Sequence, residues 1–215
     1  MGTTKIARAT AASKSAPAAP QGAAAKVSKK KATKAKVARA KSPKGRRPLA
    51  PPEDLLRRAR ELGAVSARLV AASSIATAGW VRLKCQFGCD GYGTSLCCPP
   101  HTPKPDEMRR VLDDYGRAIL FEAGRNEPKK IAVALEREAF LGGYYKALGL
   151  GSGPCLHCRQ ACAFEEGCRH ADVARPSMEG CGIDVYATAR ANGYAIEVVR
   201  DESDEQHYFG VVLLD

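Results

Sequence analysis

Nine of the 215 residues are cysteine, and eight of them fall in two short runs. The first, "CQFGCDGYGTSLCCPP" at 85–100, carries Cys85, Cys89, Cys97 and Cys98. The second, "CLHCRQACAFEEGC" at 155–168, carries Cys155, Cys158, Cys162 and Cys168. Thiols so clustered hold a metal, pair as disulfides or do chemistry themselves. The count is odd and no apolar signal segment follows the first basic residues, so a reducing, cytoplasmic setting is expected. Metal binding or catalysis then comes before disulfide pairing.

The second run has the spacing C-x2-C-x3-C-x5-C. A C-x2-C turn lets two thiolates converge, and two more within about ten residues complete the four soft ligands that zinc or a four-iron cluster takes. Three cysteines inside eight residues resemble, without matching, the ferredoxin loop C-x2-C-x2-C-x3-C-P. A single zinc more often draws its pairs from two separated knuckles. An iron–sulfur cluster is therefore the first expectation, with zinc, or reactive and merely buried thiols, as alternatives.

In the first run Cys85, Cys89 and Cys98 give C-x3-C-x8-C. Gly88, Gly91 and Gly93 let the backbone fold tightly there, and Pro99 and Pro100 stiffen the exit. Three ligands are expected, with the fourth position open to a small molecule or filled by His101. Cys97 is expected to stand aside, because adjacent cysteines rarely bind one ion with good geometry. The bland alternative is a structural zinc clamp.

Polar residues cluster just beyond, in "ARPSMEGCGID". Arg175 either offsets the charge of a thiolate-bound centre or pairs with an acid, and the second reading is favoured. Ser177 or Asp184 is expected to cap a helix, and Glu179 lies in the same turn. Tyr92 is expected over the first centre, and Tyr144 and Tyr145 in the core or an interface. His157 and His170 either tune a centre or are solvated.

The chain from about Trp80 to Val212 resembles a family of uncharacterised prokaryotic proteins described as a domain of unknown function that binds metal. The resemblance rests on "KCQFGCDGYG" with "CCPP", on "GSGPCLHC" and on "CRHADVARPSMEGCGIDVYATA". It implies metal or iron–sulfur binding by Cys85, Cys89, Cys98, Cys155, Cys158, Cys162 and Cys168, and no particular reaction. Cys97 stands where the family pattern has an aromatic residue, and Cys181 where it has a non-cysteine. Both are expected to be additional thiols.

These loops need a frame. "EDLLRRARELG" reads as a helix ended by Gly63, "PDEMRRVLDDYG" as a second, residues 128–148 as a third and "DVYATARANG" as a fourth, ended by Gly193. "VSARLVAASSI", "WVRLKC" and "RAILFEA" read as strands, the last one buried. "YAIEVVR" and "YFGVVLL" read as a hairpin. The expected class is α+β, with a mixed, largely antiparallel sheet, helices packed on it and the cysteine loops at one end.

The frame occupies residues 51–215. Residues 1–50 hold fourteen of the 34 Lys and Arg and none of the 23 Asp and Glu, which leaves 51–215 with a net charge of −3. That Lys- and Ala-rich segment has almost no large apolar residues, so a disordered tail is expected. A solvated extension, a polybasic arm making weak non-specific contact with nucleic acid, and a cleaved transit peptide all fit it. No run of about 18 apolar residues marks a membrane span.

The composite expectation is a metal protein with one or two iron–sulfur clusters of the 4Fe-4S type, passing electrons to a redox partner or acting on a small molecule. The alternative is a zinc-stabilised module whose basic tail touches nucleic acid. No Walker loop, dinucleotide fingerprint or nucleophile–base motif competes, and whether the protein is an enzyme stays open.

Overall fold

The computed structural model describes residues 48–158 and 161–215. The expected disordered tail over residues 1–50 lies outside them, apart from its last three positions. The chain divides into two units, Met1–Lys44 and Gly45–Asp215, and every described residue belongs to the second. Among the described residues no helix is long and apolar enough to cross a membrane.

The class is α+β, with five α-helices and one four-stranded antiparallel sheet among the described residues. Helix α1 (Pro52–Glu61), strand β1 (Ala64–Ala71) and helix α2 (Gly79–Gly88) are followed by α3 (Pro105–Asp113), β2 (Arg117–Ala123) and α4 (Pro128–Leu141). Strand β3 (Leu148–Leu150), helix α5 (Val185–Ala191) and strand β4 (Tyr208–Leu213) complete the frame. Helices α1, α3 and α4 each begin on a proline, whose fixed φ suits the first turn and whose missing N–H costs nothing there. Gly63 closes α1 as expected, in a left-handed conformation (φ 106°) that a side chain would strain.

The sheet order is β1-β2-β4-β3. The two inner strands alternate between two cores. Leu120, Phe209, Val211 and Leu213 face α3 and α5, together with Met108, Leu112 and Ala189. Ile119, Phe121, Val212 and Leu214 face α1 and α4, together with Leu55, Ile131 and Leu135. Burial on both faces is why β2 reads as a continuous apolar run. Cys181, 1 % exposed, belongs to the first core, and burial pushes its thiol up to about 12.

Three local expectations are corrected. "WVRLKC" is helical and forms most of α2. Val81 and Cys85, four residues apart, share its inward side, whereas Trp80, Leu83 and Phe87 are exposed, and so short an apolar run does not distinguish helix from strand. "YAIEVVR" forms no strand, so the C-terminal hairpin does not exist. β4 pairs with β2 along its length and with β3 at Val211–Leu213, and the Ile196 carbonyl accepts from the Arg190 guanidinium at 2.9 Å. The helix expected to reach residue 148 stops at Leu141, and the following residues supply β3.

Tyr144 is a core residue, donating its hydroxyl to the Ala50 carbonyl at 2.8 Å. Tyr145 is exposed and does not join the core.

Candidate metal centre

Two cavities hold the thiols. One, about 500 Å³, is lined by Cys85, Cys89 and Cys98 and by Tyr92, Pro154 and Glu179 among others. The other, about 140 Å³, is lined by Cys97, Cys155, Cys158, Cys162 and Cys168, with Ser95, His157 and His170 at its walls. The peptide bond between Cys97 and Cys98 therefore crosses from one cavity to the other, and so does the bond between Pro154 and Cys155.

Cys85 is delivered by the last turns of α2. One turn earlier Arg82 ties that helix down, donating to the Thr102 hydroxyl at 2.9 Å and to the Gly180 carbonyl at 2.8 Å. Cys89 ends the helix, and the chain then turns through Gly91 and Gly93. A side chain at Gly91 would sit 3.0 Å from Pro154 Cβ and 3.4 Å from Cys89 Sγ, so glycine there admits the close approach of backbone to thiol. Bonds from Gly93 N–H to the Pro99 carbonyl (2.7 Å) and from Cys98 N–H to the Ser95 carbonyl (3.0 Å) close the loop on itself.

The second cavity begins where β3 ends. Gly151 pairs with the segment before the 3-10 turn Glu179–Cys181, taking the Pro176 carbonyl at 3.1 Å and receiving Met178 N–H at 2.8 Å. Beyond it the chain descends through Pro154 to Cys155. Leu96 N–H donates to Cys162 Sγ at 3.4 Å, so the first run reaches the second through both a backbone donor and Cys97. Burial, reinforced by Cys155, pushes the Cys97 thiol up to about 12. Cys97 stands apart from Cys85, Cys89 and Cys98; its side chain is 8 % exposed and lines the cavity of the other run's four thiols.

Charge around the thiols comes from Lys129, which the sequence did not single out, and from Glu179, which it did. Lys129, in the first turn of α4, donates to the Gly153 carbonyl at 2.5 Å. Burial lowers its pKa, while the sulfurs of Cys155, Cys98 and Cys97 oppose that shift, so one ammonium answers to both cavities. Its only sequence signal is "PKK" at a helix start. Burial foremost, then Cys89 and Glu179, raises the Cys85 thiol. Burial also raises the Glu179 carboxyl.

Other expected residues resolve as structure. Arg175 makes a two-pronged pair with Glu136 at 2.7 Å on each arm, with both side chains mostly buried. Glu136 also accepts Gly149 N–H at 2.7 Å. Asp184 caps α5, accepting Ala187 N–H at 2.9 Å, and Ser177 accepts Gly180 N–H at 2.9 Å. His101 lines neither cavity and rests on the Phe164 ring at 4.9 Å between centroids. Replacing Arg175 by alanine should cost about 3 kcal/mol in urea unfolding, because a mostly buried carboxylate loses its partner. Metal content should stay at the parent value. A loss of metal with unchanged stability would instead make Arg175 a charge-balancing residue of the centre.

Two buried side-chain polar atoms lack a partner among the described residues, Ser95 Oγ and Glu179 Oε2. One belongs to each cavity. Buried polar atoms are almost always satisfied, so two orphans placed beside the thiols fit a bound group at each position. Among the described residues no three His, Cys, Asp or Glu side chains converge tightly enough to hold a single ion.

The family comparison agrees with this donor chemistry. Residues 68–214, about two thirds of the chain, match the model of a family described as a predicted metal-binding protein of unknown function, DUF2284. The chain belongs to this family. No curated protein and no solved structure matched it. The matched span takes in all nine cysteines and both cavities, and it begins inside β1.

Proposed function

We propose that the two cavities hold iron–sulfur clusters of the four-iron type. In this reading the second is closed by cysteine and the first has one position that no cysteine fills, where a small molecule can exchange, so the protein serves electron transfer or chemistry at that position. The observation that carries it is the gathering of the thiols into two sets, each around a space and not around a point. Four thiolates about 2.3 Å from one zinc ion would crowd within about 4 Å of each other, and a single ion needs little more room than a water. A cavity of about 140 Å³ suits a larger inorganic group.

When bound, such clusters supply one-electron reduction at potentials set by charge, hydrogen bonds and solvent access. The residues of the chain would set those terms. Cys85, Cys89 and Cys98 would hold the first cluster. Cys155, Cys158, Cys162 and Cys168, with Cys97 as a further thiol, would hold the second. Leu96 N–H and Gly91 N–H, each 3.4 Å from a thiol sulfur, would donate to ligand sulfur. Lys129 would offset negative charge at both sites.

Protein purified without oxygen should be brown and contain acid-labile sulfide, with about eight iron atoms per chain if both sites are loaded. A colourless protein with stoichiometric zinc and no labile sulfide would end this reading and leave a zinc-stabilised module in its place.

A further inference from the structure

The first centre has three cysteines where a four-iron cluster or a zinc ion takes four ligands. Glu179 lines the same cavity, its Oε2 is shut away from solvent without a partner, and its backbone carbonyl lies 3.8 Å from Cys85 Sγ. The 3-10 turn that carries it is fixed by the Ser177 cap and by Arg82 on the Gly180 carbonyl. Oε2 therefore has a free lone pair beside the cavity and no donor among the described residues to meet it. Away from the thiols the cavity is walled by aromatic and aliphatic side chains, among them Trp80, Tyr92, Ile183 and Tyr186. At about 500 Å³ it falls within the range of small-molecule sites.

We propose that Glu179 fills the fourth position of the first centre, and that an aromatic-sized apolar molecule with a soft head, such as a thiolate, enters the pocket and takes that position from the carboxylate. This rests on the iron–sulfur reading above. A hard oxygen ligand is a weak partner for iron in a thiolate cluster, so it can be displaced where a fourth cysteine could not. The walls supply the preference for an apolar body, because burying one aromatic ring favours binding by a factor of about ten or more.

The test uses full-length protein loaded under anaerobic conditions, with phenylmethanethiol and 2-mercaptoethanol, two alkanethiols of similar acidity, as probes. Binding is followed by visible absorption and by EPR of the reduced protein. In the parent, phenylmethanethiol should bind about tenfold or more tighter than 2-mercaptoethanol. Glu179→Gln should keep the parent's iron content, alter the EPR signal of the first centre before any probe is added, and tighten both probes by a similar factor. Trp80→Ala, at a half-exposed position, should leave iron and EPR unchanged and reduce the preference between probes. If Glu179→Gln has the parent's EPR signal and probe affinities, the ligand role is overturned. Equal affinity of the two probes in the parent overturns the proposed ligand class. If the parent carries no labile sulfide, the iron–sulfur reading has failed first and this proposal falls with it.

Discussion

Cys97→Ser and Cys98→Ser, one residue apart, should disturb different EPR signals of the reduced protein. Cys98 lines the larger cavity with Cys85 and Cys89, and Cys97 the smaller one with Cys155, Cys158, Cys162 and Cys168. A hydroxyl is a poor substitute for a soft thiolate. Cys98→Ser should therefore remove or convert the first centre, losing up to half of the iron, and leave the second signal intact. Cys97→Ser should change the second signal and leave the first at parent intensity. The two samples need iron and sulfide counts beside the spectra, since misfolding would lower both signals together. Loss of the same signal in both variants would mean that the vicinal pair serves one centre, contrary to the geometry.

Stripping the metal should loosen the cysteine segments far more than the sheet. Between Ser152 and Asp172 the described backbone makes only isolated turn bonds, such as Phe164 N–H to the Cys162 carbonyl at 3.1 Å. The five thiols of the smaller cavity leave these residues half-buried or exposed, apart from Cys97. A segment with few apolar neighbours takes its order from the group it binds. Removal of the metal should speed protease cleavage within residues 155–173 by at least tenfold, while amides of β2 and β4 keep their exchange protection. Cleavage at an unchanged rate would show that the loops are ordered without metal. Simultaneous loss of protection in the strands would show that the metal holds the whole unit together.

Much of the frame was readable from local signals. Proline at the start of α1 and α3, with acids in the first turn and Gly63 after α1, marks helices by chemistry that works without tertiary context. The buried run of β2 was equally plain. The misread segments are those where long-range partners decide. Tyr194–Arg200 has strand composition, but β4 pairs instead with β2 along its length and with β3 at Val211–Leu213. Residues 80–85 are helical: Val81 and Cys85 turn inward while Leu83 between them is exposed, where a strand would put all three on one face.

The site divides along the same line. Spacing alone grouped Cys85 with Cys89 and Cys98, and the later four with each other. The argument that set Cys97 aside was sound for one ion, since adjacent thiols do not converge on a point. The two do part, one to each cavity, and what no spacing rule reveals is that Cys97 turns toward the thiols of the later run. Lys129 was invisible as a site feature because it reaches the thiols from a distant stretch of chain, and position alone did not show that the oxygen of Glu179 lacks a partner; Arg82, three residues before Cys85, works through Thr102 and Gly180, which spacing does not show.

The placement of β4 between β2 and β3 also sets an order of events during synthesis. Its partner in β2 lies about 90 residues earlier, with Ala118 opposite Leu213. A ribosome therefore releases every cysteine before the strand that completes the sheet. Until β4 arrives, the apolar edge of β2 has only β1 beside it, and pairings so distant in sequence form slowly. Metal delivery to the nascent thiols would meet a half-built scaffold. A cell that starves the protein of its metal at that moment should lose it to aggregation through the open edge of β2, before any finished molecule exists to be inactive.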